Sequence, residues 1–140
     1  MGRSWARQFA EILAGVVYTL PDAPTGWLDA EVKVAARFGG ALSTDRYGSF
    51  DITLPGGVDG LGVFIDVKFG DTWGWSEAEV DQCKFFVLVS STGTVTLQDL
   101  RGKQTKEQFK LDNNSRLRTG GYNTVGSVEA RNYKRWTDSR

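Results

Sequence analysis

A chain of 140 residues that is 40% hydrophobic and holds five tryptophans can bury one core but has no length for a second, so a single domain is expected over residues 1–140. With no histidine and one cysteine, Cys83, the chain cannot use Ser-His-Asp or Cys-His catalysis, histidine zinc sites, an imidazole base or a disulfide, which leaves carboxylate and lysine chemistry. The net charge of zero hides an asymmetry: residues 1–100 hold 7 Lys/Arg against 13 Asp/Glu and residues 101–140 hold 10 against 4, an acidic body with a basic last third suited to a metal site and a polyanion-binding surface.

Trp5, Phe9, Ile12, Leu13 and Val16 recur at helical spacing and Gly15 is a terminator, so a first amphipathic helix is predicted over residues 3–14, with Glu11 off its apolar stripe. Residues 21–26, with two prolines, form a loop. Val32, Val34, Ala36 and Phe38 then alternate with Glu31, Lys33, Ala35 and Arg37, the period of a half-exposed edge strand whose wet face would carry Glu31 and Lys33. Gly39 and Gly40 break this run, and residues 49–54 give a short strand ended by Pro55, Gly56 and Gly57.

Residues 63–69 are apolar on both faces except at Asp66 and Lys68, which is the pattern of a central, buried strand. Ser76 and Glu79 fit a capping box that starts a helix reaching about Cys83, and the apolar run 85–89 is a second buried strand. The 14 residues 71–84 are enough for a parallel crossover through that helix. A turn at Thr92 and Gly93 leads to a strand over 94–98, a helix is predicted over 103–111, a loop over 113–123 and a closing helix over 128–136. The tryptophans Trp5, Trp27, Trp73, Trp75 and Trp136 read as core or rim. The fold class is α/β, a central mixed β-sheet flanked by helices. No run nears the roughly 18 apolar residues of a membrane span and no secretion signal is evident, so a cytoplasmic protein without membrane contact is expected.

Asp66 and Lys68 are two positions apart on one strand and therefore project from the same face, roughly 7 Å apart along it. Burying either charge unpaired costs several kcal/mol, so the pair calls for a metal, a functional cleft or, as the plain alternative, a structural ion pair. Asp51 sits between Phe50 and Ile52 on the preceding strand, where a hairpin would bring it to Asp66. Two convergent carboxylates and a backbone carbonyl, that of Val67, form the hard oxygen set suited to Mg²⁺, with Mn²⁺ able to substitute, while Lys68 would orient a water molecule. Glu31, Val32 and Lys33, with Pro21 and Asp22 upstream, spell a second acidic-x-Lys match, set aside as the wet face of an edge strand.

Phe50-Asp51-Ile52 followed by Ile65-Asp66-Val67-Lys68, within a series of helix, antiparallel strands, crossover helix and further buried strand, resembles the PD-(D/E)xK nuclease superfamily. The stretch from Glu31 to Trp136 is similar to its small members, the Holliday-junction resolvases and homing endonucleases, and Val80-Asp81 and Arg116-Leu117-Arg118 are similar to a homing-type branch. The resemblance implies a restriction-endonuclease-like fold and a Mg²⁺-dependent endonuclease hydrolysing DNA, acting as a homodimer and encoded by a prokaryote or phage. Catalytic residues would be Asp51, Asp66 and Lys68, and a glutamate that members often carry on the first helix would complete the metal site, with Glu11 on that helix and Glu31 as its competitor. Gln82 matches a glutamine that many members carry on the crossover. Phosphate contacts are expected from the basic last third, with Lys110, Asn113, Asn114, Arg116 and Arg118 as candidates and Lys134 and Arg135 behind them. The competing expectations are a non-catalytic nucleic-acid-binding relative and a β-rich structural or interaction module of virion type.

Overall fold

Ser4 starts the first helix by accepting a hydrogen bond from the Arg7 amide at 3.3 Å, and the stripe that follows buries Gln8, Phe9 and Ile12. The computed structural model describes residues 4–44, 49–56 and 62–118. In chain order these form α1 (Trp5–Leu13), α2 (Trp27–Phe38), β1 (Ala41–Leu42), β2 (Ile52–Leu54), β3 (Val63–Phe69), α3 (Glu77–Gln82), β4 (Phe85–Val89), β5 (Val95–Asp99) and α4 (Lys103–Asp112), with a 3-10 turn at Asn114–Arg116. No helix among the described residues is long and apolar enough to cross a membrane.

The five strands make one mixed sheet in the order β1-β2-β3-β4-β5. The first three pair antiparallel, β3 and β4 pair parallel, and β4 and β5 pair antiparallel. The central position of β3 follows from its composition, since only a strand covered on both faces gains from being apolar on both. Ile65 and Val67 join Phe9, Ile12, Val34, Phe38 and Phe85 in the core beneath α1 and α2. On the opposite face Phe64 and Phe86 join Trp75, Val80, Leu100 and Phe109 beneath α3 and α4. The alternation of β3 therefore delivers Asp66 and Lys68 to this second face, where the Lys68 ammonium lies 4.8 Å from the centre of the Phe86 ring. The outer edge of β5 is covered where the chain leaves α1: Val95 donates to the Tyr18 carbonyl at 2.8 Å and Leu20 to the Gly93 carbonyl at 2.9 Å.

Residues 31–38, expected as an edge strand, are instead the last two turns of α2. The residues that α2 buries are Ala30, Val34, Ala35 and Phe38, a spacing of one helical face, whereas Val32 is 48% exposed and Ala36 is also exposed. Asp29 and Lys33 pair one turn apart, and Gly39 ends the helix at φ 75°, a left-handed cap that a side chain would strain. The apparent alternation arose because exposed Val32 and buried Val34 both carry apolar side chains. A strand would place these two on one face and a helix separates them. Val34→Asp is expected to cost about 3 kcal/mol or more and Val32→Asp less than about 0.5 kcal/mol in urea unfolding; equal losses would contradict the helix.

Candidate active site

Asp66 and Lys68 are 4% and 6% exposed, and their charged atoms meet at 2.7 Å. Asp51 lies just ahead of β2, yet its amide still donates to the Ile65 carbonyl at 3.0 Å, which holds it against β3. Its Oδ2 accepts the Val67 amide at 2.8 Å, and its carboxyl lies close enough to that of Asp66 for each to act on the other's ionisation. The hairpin expected from sequence thus brings Asp51, Asp66 and Lys68 together. Val67 joins them through its backbone, by the N–H rather than the carbonyl in the contact seen.

Of the two glutamates left open by sequence, Glu11 pairs with Arg7 at 3.8 Å on its own helix. Glu31, on α2, is the one whose negative charge acts on Asp51. Its place on a helix makes this possible, because α2 packs against β3 and directs one face of its turns towards the sheet.

A residue that sequence reading treated only as a helix cap completes the cluster. Glu79 accepts the Ser76 amide at 3.0 Å in a full capping box, and the same oxygen accepts the Lys68 ammonium at 2.9 Å. Arg118 reaches both oxygens of Glu79 at 2.9 Å. The available signal was position: the box opens the helix that immediately follows β3, so its first turn must pass over the end of that strand.

Three carboxyls, Asp51, Asp66 and Glu79, thus face two cations, Lys68 and Arg118, in a site shielded from water. Burial, reinforced by the charge of Glu31, pushes the Asp51 carboxyl up to about 6. Burial and the charges of Asp51 and Glu79 push Asp66 well above the ordinary carboxylate range. Burial works against the charged forms of Lys68 and Glu79 as well, but their partners outweigh it. Asp66 and Glu79 hold the Lys68 ammonium above its usual value, and Lys68 and Arg118 draw Glu79 down to about 2. Both carboxyls of the Asp51 and Asp66 pair are thus inclined to hold their protons above the ordinary carboxylate range, a tendency that a bound cation would oppose.

Among the described residues no three His, Cys, Asp or Glu side chains are gathered at metal-binding spacing; the convergent carboxyls are the Asp51 and Asp66 pair. The basic candidates are placed differently from a free phosphate-binding loop. Lys110 pairs with Glu77 at 2.7 Å and Asp81 at 3.0 Å, and Asn113 accepts the Trp75 indole N–H on its carbonyl while its amide caps α4 at the Phe109 carbonyl. Arg116 donates to the carbonyls of Asp71 and Trp73 at 2.9 Å and lies over the Trp73 ring. Asn114 is exposed in the 3-10 turn. Gln82 accepts a hydrogen bond from the Ser49 hydroxyl, next to the Phe50-Asp51 turn. Lys134, Arg135, Trp136, the helix expected over 128–136 and the loop beyond residue 118 lie outside the described residues.

Comparison with family models, with curated protein sequences and with solved structures returned no match.

The proton that Asp51 carries has a measurable consequence. An unfolded chain releases it near 3.8, whereas folded Asp51 holds it to about 6, so this group's contribution to stability is full below 3.8 and is lost as pH rises through 6. Glu79 acts in the opposite sense, contributing above 4.5 and losing that contribution as pH falls towards 2. In EDTA the Tm of the native protein is expected to fall between about pH 5 and pH 7.5, and Asp51→Asn to remove several degrees of that fall. A calorimetric profile that Asp51→Asn leaves unchanged would mean that the carboxyl pair is not strained by ionisation.

Proposed function

We propose that this chain is a metal-dependent endonuclease of the restriction-endonuclease-like type, hydrolysing DNA phosphodiester bonds with Mg²⁺ or Mn²⁺. The observation that carries the reading is the buried Asp51 and Asp66 carboxyl pair on adjoining segments, with Lys68 on the same strand face two residues on. The order of elements supports it: a helix, an antiparallel β1-β2-β3 set, a crossover helix and a strand, β4, parallel to β3.

The donors fit a hard divalent cation, because they are carboxylate oxygens brought together in a buried site, where a cation would offset their mutual repulsion. Asp51 and Asp66 would hold it, with Glu31 and the Val67 carbonyl as candidates for further oxygens. Such an ion supplies a hydroxide-like nucleophile near neutral pH and stabilises the leaving oxygen. Lys68 is held charged by Asp66 and Glu79, so its part is that of a donor that orients the attacking water and balances charge on the phosphate, not that of a base. On this reading the protein acts on DNA in the cytoplasm of a prokaryotic cell, as a homodimer because a duplex or junction presents two strands to cut.

A second reading has one observation in its favour: Asp66 and Lys68 are already paired at 2.7 Å, as an internal ion pair of a binding or structural module would be. Incubating the protein with supercoiled plasmid and with a branched junction, in Mg²⁺ or EDTA, separates the two. The nuclease reading expects cutting that requires the metal and drops at least about 100-fold in Lys68→Ala and in Asp66→Asn, with circular dichroism unchanged. Full cutting by both variants overturns it. DNA binding without turnover marks a non-catalytic relative, and binding of neither DNA nor metal marks the β-rich structural module.

A further inference from the structure

A glutamate at the third position of a helix ordinarily does no more than reach back to the N-cap amide and close a capping box. Glu79 is 13% exposed and does more than this. Its Oε1 accepts from the Ser76 amide, the Lys68 ammonium and the Arg118 guanidinium, and its Oε2 accepts from Arg118 again. Side-chain exposure rises outward through this chain of contacts, from 6% at Lys68 through 13% at Glu79 to 32% at Arg118. The charges alternate along it from Asp66 to Arg118.

We propose that Glu79 is the positioning residue of the site: one carboxylate, fixed by the first turn of α3, holds the Lys68 ammonium beside Asp66 and anchors Arg118 at the rim. The two arms need different support. Lysine keeps its reach on a flexible four-carbon stem, and a single partner leaves that stem free to turn. Asp66 is a poor sole partner, because its carboxyl is crowded by that of Asp51, and Glu79 is the second anion that keeps the ammonium in place. The Arg118 arm has a second support in the backbone, where Trp75 donates to the Arg116 carbonyl at 3.0 Å and Arg118 donates to the Trp75 carbonyl at 2.8 Å. Gly74 leaves room for this arm: a Cβ there would stand 3.0 Å from both the Arg116 carbonyl and Arg118 Cγ. Gly74→Ala therefore crowds Arg118 while leaving Lys68 and the capping box untouched.

The kinetic part of this proposal rests on the nuclease reading; the placement of Lys68 does not. Glu79→Gln keeps an acceptor for the Ser76 amide and removes the charge. Steady-state cleavage and the ¹⁵N resonance of the Lys68 ammonium, assigned by its loss in Lys68→Ala, are measured for the native protein, Glu79→Gln and Gly74→Ala. Glu79→Gln is expected to lower kcat about 10- to 100-fold, the usual effect of losing a group that orients a site residue, and to shift and broaden the Lys68 resonance. Gly74→Ala is expected to raise KM with kcat retained and the resonance unchanged. A kcat for Glu79→Gln within about twofold of native, an unaltered Lys68 resonance in that variant, or the same kcat loss in Gly74→Ala overturns the proposal. If the native protein cuts neither DNA, the nuclease reading falls, and the resonance alone decides: its shift and broadening in Glu79→Gln sustain the role of Glu79 and an unaltered resonance refutes it.

Discussion

The ion pair between Asp66 and Lys68 is the constraint around which the rest is arranged. It sits on the central strand of a sheet covered on both faces, where neither charge reaches water and where removing one partner would strand the other at a cost of several kcal/mol. Each neighbouring feature can be read as a response to that cost. Glu79 offers a second anion to Lys68, Arg118 neutralises Glu79, and Asp51, drawn in by the Val67 amide, is pushed towards holding its proton. A hydrophobic strand of the same length is often at least as stable, so stability alone does not account for the charged arrangement.

The two cores divide the labour. The larger, beneath α1 and α2, is apolar throughout its buried residues except for Gln8, which accepts a hydrogen bond from Tyr18, and it anchors β3 from behind. The smaller, beneath α3 and α4, surrounds the charged cluster with aromatic rings: Phe50 stacks on Phe64 at 4.0 Å, and Phe86 and Trp75 both meet Phe109 edge-on at 5.5 Å. These rigid walls fix the strand on which Lys68 stands and lower the local dielectric, which strengthens each contact within the cluster. Lys106 helps to close the same region by donating to the Val80 and Cys83 carbonyls at 2.6 Å, satisfying the end of α3.

Much of this was legible in the residues. A strand apolar on both faces can only be central, the Ser76 and Glu79 spacing announces a helix start, and 14 intervening residues allow a parallel crossover; β3, α3 and β4 follow those expectations. Asp51 was also legible, as an acidic residue between two large apolar ones. The misreading of residues 31–38 has a local cause: Val, Ala and Phe are compatible with both periods over eight positions, and burial of Ala30 and Ala35, small enough to lie under a helix against a sheet, decided the matter. What no spacing rule carries is contact between distant segments. Glu79 and Arg118 are 39 residues apart, and Arg116 finds its carbonyl partners more than 40 residues back, so Arg116 and Arg118, which read as part of a solvent-facing polyanion surface, fasten the segment after α4 to the cluster. β1, two residues long and exposed, has no periodicity to read.

The coverage of β5 by residues 18–20 bears on how the protein behaves at high concentration. An open sheet offers unpaired amides and carbonyls along its outer strands, and those are the template on which chains zip into fibrils. Here the segment leaving α1 fills the end of that template at β5, and the other outer strand, β1, is too short to seed an extended ladder. A linker that joins a helix to the next loop therefore doubles as a guard against cross-β assembly, and shortening it would expose the sheet before it disturbed the charged cluster.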